Sequence, residues 1–202
     1  SMRLILMRHG ETLWNVEQRL QGHDNSELSE RGIRQAREFV PYVRALLPAH
    51  VVSSDLGRTR QTVGLIGYPD APSDARLREL DMGEWTGRRK RDLIAEQPER
   101  YHAWRAGTFT PDKGESWGDF RARVAAGIRD WLHKAQGDLL AVVHGGVIRA
   151  ACHEFVGLPP SRVIPVTPGT ATILNFASAD APAAQLEGYN IGSVAPDVSV
   201  AD

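Results

Sequence analysis

Cysteine is nearly absent, with Cys152 alone in 202 residues. A disulfide framework is therefore excluded, as is any CxxC metal or redox site. The seven histidines contain no HxxxH pair, which removes the commonest helical zinc signature. The carboxylates do not cluster as a magnesium site would require. Neither GxxxxGK[ST] nor GxGxxG occurs, so neither a nucleoside triphosphate nor a dinucleotide is implied. No metal and no cofactor are expected. No apolar run approaches the roughly 18 residues of a membrane span, and the opening residues do not resemble a signal peptide. With 24 basic against 25 acidic residues, no global basic surface offers itself to nucleic acid. The expectation is a cytoplasmic protein that engages neither membrane nor nucleic acid, and any anion site must come from local concentration of arginine.

What remains is 42 % hydrophobic, enough for one globular domain over residues 1–202. Short apolar runs at Leu4–Met7, His50–Ser53, Leu139–Val143 and Ala171–Phe176 read as strands, with Gln185–Tyr189 a weaker fifth. Helical periods lie between them. After Ser29, the residues Ile33, Ala36, Val40, Val43 and Leu47 form one apolar face, and Pro41 implies a kink or a break. After Ser116, Phe120, Val124, Ile128 and Trp131 repeat that period up to a stop at Gly137. A further helix begins at Gly145–Gly146 and ends before Pro159. Alternating strands and helices predict an α/β fold, a three-layer α/β/α sandwich with a mostly parallel sheet. The strand-poor stretch at about 83–114 reads as an insertion or lid, and the terminal "VAPDVSVAD" as a loose tail.

The polar residues gather where strands end. Leu4–Met7 runs straight into Arg8, His9 and Gly10. A buried strand gains nothing from an uncompensated charge at its end, which is costly to desolvate. The second strand runs into Ser53-Ser54-Asp55 and then a helix start bearing Arg58. The third delivers His144-Gly145-Gly146. In an open parallel sheet, ligands bind outside the carboxyl ends of the strands. Arg8 and Arg58 offer planar forks of donors to phosphate oxygens, and Gly145–Gly146 opens a helix whose free N–H groups suit an anion. A histidine in that positive field keeps an unprotonated, nucleophilic nitrogen. The set suits a transferring phosphoryl group, which is stabilised by positioning and charge.

The blocks "LMRHGETLWN", "SSDLGRTRQT", "LRELDMGEWTG" and "VVHGG" occur in this order and resemble those of the histidine phosphatase superfamily, the phosphoglycerate mutase-like proteins. The likeness runs from about Leu4 to Phe176. It implies that His9 is the nucleophile and that Arg8, Arg58 and His144 hold the phosphoryl oxygens. Asn15, Gln21 and Gly22 match positions that line the substrate pocket, with Gly145 beside them. Glu79 matches the carboxylate that protonates the leaving oxygen, with Asp81 and Glu84 as rivals on spacing alone. The other histidines, His23, His50, His102, His133 and His153, read as structural. Arg88–Arg91 reads as a solvated helix start, with Arg88 or Lys90 as the alternative second anion contact. The function expected is hydrolysis of a small phosphorylated substrate. Two alternatives are a phosphoglycerate mutase and a phospholigand-binding domain without turnover.

Overall fold

The structure is a computed structural model that describes residues 1–193, 197 and 199. Its strands are β1 (Met2–Arg8), β2 (His50–Ser53), β3 (Leu139–Val143), β4 (Ala171–Phe176) and β5 (Gln185–Ile191). The helices are α1 (Leu13–Val16, a single turn), α2 (Glu30–Leu46), α3 (Gly57–Leu65), α4 (Lys90–Glu96), α5 (Pro98–Ala106), α6 (Trp117–Ala135) and α7 (Gly145–Val156). The sheet has the order β2-β3-β1-β4-β5. The sequence pattern locates every strand but overstates how parallel they are. β2, β3 and β1 are parallel, whereas β4 and β5 run antiparallel to their neighbours. The physical reason is connection length: residues 177–184 between β4 and β5 contain no helix, too short a link for a parallel crossover.

Alternate side chains of the central strands enter two separate cores. Leu4, Leu6, Leu139 and Ala141 pack with Phe120, Val124 and Ile128 of α6 and with Val147 and Ile148 of α7. Ile5, Met7, Leu140 and Val142 pack with Ala36, Phe39 and Val43 of α2 and Val63 of α3. The three layers follow from this alternation.

α2 differs in detail from its sequence pattern. It runs through Pro41 without a break, with Pro41 and Arg37 both on its exposed side. Its buried face centres on Phe39, not Val40, and Leu47 closes the helix in the left-handed region, exposed to solvent. In α6 the left-handed closing residue is Gln136, one position before the glycine. Residues 83–114 fold as a 3₁₀ turn followed by α4 and α5, and bury Trp85, Leu93, Tyr101 and Trp104. The proposed tail, apart from Asp197 and Ser199, lies outside the described residues.

Because β2, β3 and β1 are parallel and adjacent, their carboxyl ends lie side by side. Backbone bonds lace them together: His9 N–H donates to the Val143 carbonyl at 3.1 Å and Ser54 N–H to the Val142 carbonyl at 3.2 Å.

Candidate active site

His9 follows β1 and is 2 % exposed. Its Nδ1 lies 2.7 Å from the Gly10 carbonyl. A carbonyl only accepts, so Nδ1 carries the hydrogen and Nε2 keeps its lone pair. Burial, and then the charges of Arg58 and Arg8, push the imidazole well below the ordinary histidine range, with the Gly10 bond opposing them. His144 caps α7, and its ring centroid is 5.4 Å from that of His9. Burial is again the main cause of its lowered basicity, followed by Arg58, His9, Arg8 and Arg123. Two buried histidines of lowered basicity thus lie within the field of two guanidinium groups.

The arginines are fixed by backbone carbonyls. Arg8 Nη1 donates to Val166 O at 2.6 Å. Arg58 Nη1 donates to Asp24 O at 2.6 Å and Nη2 to Gly22 O at 2.7 Å. Both side chains are almost wholly buried. Gly22 therefore serves Arg58 through its carbonyl, and its φ of +57° is one that glycine adopts without strain.

Glu79 is 2 % exposed and lies on irregular backbone between 3₁₀ turns at Ala75–Leu77 and Gly83–Trp85. Its Oε2 accepts from Gly146 N at 3.1 Å and its Oε1 from Leu80 N at 2.9 Å. The start of α7 is thus already engaged by a carboxylate at its second residue, so the helix end is not wholly free for an external anion. A Cβ at Gly146 would stand 2.2 Å from Glu79 Oε1. Of the rival carboxylates, Asp81 accepts from Gly83 N and Asp81 Oδ2 is 3.9 Å from His23 Nδ1; Asp81 and Glu84 are both more exposed than Glu79.

Other candidates are placed less directly. Gln21 is fully buried; its Oε1 accepts from Ser26 Oγ at 2.9 Å, while its Nε2 has no hydrogen-bond partner among the described residues. The Asn15 side chain accepts from Thr12 N at 3.0 Å in a capping box, and faces a small cleft with Glu11, Gln35 and Thr167. Gly145 is buried at the first position of α7. Arg88 pairs with Glu96 at 2.6 Å, and Lys90 Nζ donates to Ser199 O at 3.2 Å. His23, His133 and His153 hold structural bonds. Trp85 and Trp104 pack in the core.

Ser54 had no role legible from sequence. Its Oγ lies 2.7 Å from His144 Nε2 and 2.7 Å from Thr59 Oγ1, all three residues being fully buried. The Ser-Ser pair at the end of β2 was visible, but which hydroxyl faces the third strand was not. No group of three or more His, Cys, Asp or Glu side chains that could hold a metal occurs among the described residues. No described helix is long and apolar enough to cross a membrane.

Two histidines, two arginines and a buried carboxylate thus gather at the carboxyl ends of the parallel strands, and the comparisons with known proteins identify the class of the chain. Residues 4–190 match the histidine phosphatase superfamily, branch 1. The chain belongs to that superfamily and is a histidine phosphatase. Among curated relatives, the probable phosphoglycerate mutase GpmB of Citrobacter koseri is 40 % identical over 169 residues, 78 % of this chain and 76 % of the relative. Among solved structures, the mycobacterial glucosyl-3-phosphoglycerate phosphatase superposes with a TM-score of 0.84 at 28 % identity, covering 96 % of this chain and 100 % of that one. The alpha-ribazole phosphatase of Shigella flexneri superposes with a TM-score of 0.79 at 28 % identity, covering 97 % and 100 %.

Proposed function

We propose that this protein hydrolyses small phosphate monoesters through a phosphohistidine on His9, without a metal. The observation that carries the reading is the His9 tautomer: Nδ1 is tied to the Gly10 carbonyl at 2.7 Å, which leaves Nε2 as the reacting atom. In the first step Nε2 bonds to phosphorus as the P–O bond to the alcohol breaks. The electron pair goes to the leaving oxygen, which takes a proton from Glu79. In the second step water bonds to phosphorus and gives a proton back to Glu79. The N–P bond then breaks, its electron pair returns to Nε2, and phosphate is released. Arg8, Arg58 and His144 hold the phosphoryl oxygens, where charge spreads in the transition state. Asn15, Gln21, Gly22 and Gly145 border the leaving group, with residues 83–114 as the lid. A single buried thiol, Cys152, fits a reducing, cytoplasmic setting.

A second reading, phosphoryl return to another hydroxyl, is favoured by the mutase name of the GpmB relatives. One experiment separates the two. The protein is given 3-phosphoglycerate with catalytic 2,3-bisphosphoglycerate, and 2-phosphoglycerate and free phosphate are followed together. Phosphate release from several monoesters with little isomerisation is expected; isomerisation outrunning release would make it a mutase. His9→Ala should abolish both turnover and the phosphohistidine trapped by rapid acid-free quenching, and substantial residual activity would overturn the assignment.

A further inference from the structure

Glu79 presents a physical problem. An acid that must meet one oxygen in one geometry sits on backbone with no helix or strand ladder to hold it. Its carboxylate is anchored at Gly146 and Leu80, but those bonds fix only the tip. Something has to fix the main chain behind it.

Arg123, on α6, meets that need. Its Nη1 donates to Arg76 O at 2.9 Å and to Arg78 O at 3.0 Å, and its Nη2 reaches Glu79 O at 3.3 Å. Three carbonyls of the segment carrying the acid thus converge on one planar guanidinium. The fork is itself held in place. Glu115 accepts from Arg123 Nε at 2.8 Å and from Nη2 at 2.7 Å, and the guanidinium lies over the Phe120 ring at 5.0 Å. Glu115 also ties to the far side of the acid, since its N–H donates to Asp81 O at 2.8 Å and its Oε1 accepts from Asp81 N at 3.3 Å. From the opposite side His23 Nε2 donates to Glu79 O at 2.9 Å. Only an arginine can serve three acceptors in a plane while pairing two-pronged with a carboxylate; a lysine carries the charge but not the fork.

We propose that Arg123, oriented by Glu115, is a positioning residue for the general acid, acting on Glu79 through its backbone. This rests on the reading of Glu79 as the proton donor. It also has a signature that a merely structural residue lacks. Protonating the leaving oxygen matters for an alkoxide and hardly at all for a stabilised aryl oxide. Loss of Arg123 should therefore reproduce, in weaker form, the substrate selectivity of losing the acid.

The experiment compares R123K, R123Q, E115Q and E79Q with the wild type on p-nitrophenyl phosphate and on the alkyl monoester the wild type turns over fastest. R123K and R123Q should each lower kcat/KM for the alkyl ester about 10- to 100-fold while the aryl ester changes less than about 3-fold. E115Q, the mildest change and the one that guards against misfolding, should show the same bias at smaller size. Adding R123K to E79Q should bring no further selectivity. A uniform loss on both esters in R123K, with E79Q still selective, would overturn the clamp and leave the acid standing. R123K indistinguishable from wild type would show that charge and not the fork matters, and would also overturn it. A uniform loss in E79Q itself would remove the acid reading, and the clamp with it.

Discussion

The contact between Gly146 and Glu79 permits a sharp test, because one methyl group should separate activity from stability. In Gly146→Ala the new Cβ stands 2.2 Å from Glu79 Oε1 and 3.1 Å from its Cδ. Real Cβ contacts essentially never fall below 3.0 Å, so the carboxylate must retreat by nearly 1 Å. The retreat breaks the 3.1 Å bond from Gly146 N to Oε2, and leaving a buried partner unsatisfied costs about 1–3 kcal/mol. Against that, alanine gains about 0.5–1 kcal/mol over glycine in a helix, and the φ of Gly146 is not in the left-handed region. The net destabilisation is about 1–2 kcal/mol, well inside the 5–15 kcal/mol of an ordinary domain. Catalysis should suffer far more, because a displacement of about 1 Å at a reacting group can cost about 100-fold. The assay is kcat/KM on alkyl monoesters beside a urea unfolding curve. A folded Gly146→Ala enzyme with wild-type activity on alkyl esters would refute the placement of the acid at the start of α7.

Burial and the two arginines hold His9 below the usual value of 6.5, so kcat/KM should stay level as pH falls through 6.5. Arg58→Met should move the acid limb upward, and an unmoved limb would show that Arg58 does not act on His9. The sign for stability is the same: below pH 6.5 the unfolded chain binds protons that the buried His9 and His144 do not. Stability is therefore full above that pH and lost on acidification; urea midpoints that rise on acidification would contradict this. Ser54→Ala strands His144 Nε2, now 2.7 Å from the hydroxyl, and should cost about 1–3 kcal/mol in urea unfolding, whereas an unchanged midpoint would deny that bond any weight. Dialysis against a strong chelator should leave activity intact, and a loss restored by a divalent metal would end the metal-free mechanism.

The elements that sequence discloses well are those whose residues must be apolar for a local reason. β1 to β4 are short apolar runs, β5 is a weaker, more exposed one, and each of the first three runs into polar residues. Strand direction is a different matter, since side-chain alternation is the same either way along a strand; only the helix-free link at residues 177–184 carries that information. The apolar face of α2 includes Phe39 beside the half-buried Val40, and periodicity alone does not tell which of two adjacent apolar residues lies deeper in the layer. His9, Arg8, Arg58, His144 and Glu79 stand in recognisable blocks. Ser54 and Arg123 do not announce themselves, because a serine after a strand and an arginine on a helix are ordinary surface residues until their neighbours are known.

The position of β1 has a consequence for how the chain reaches this state. It precedes both of its partner strands in the chain, yet it lies in the middle of the sheet, where Leu4 faces Leu139 on one side and Leu174 on the other. Neither partner exists until synthesis has passed residues 139 and 171, and bringing them together closes very long loops, a slow kind of pairing. A nascent or truncated chain ending before residue 171 would leave one edge of β1, with its fully apolar run, open to other strands. His9 would then stand at the end of an unsupported strand. Phosphatase activity should thus appear only after β4 has been made, and termination before it should give aggregation in place of a weaker enzyme.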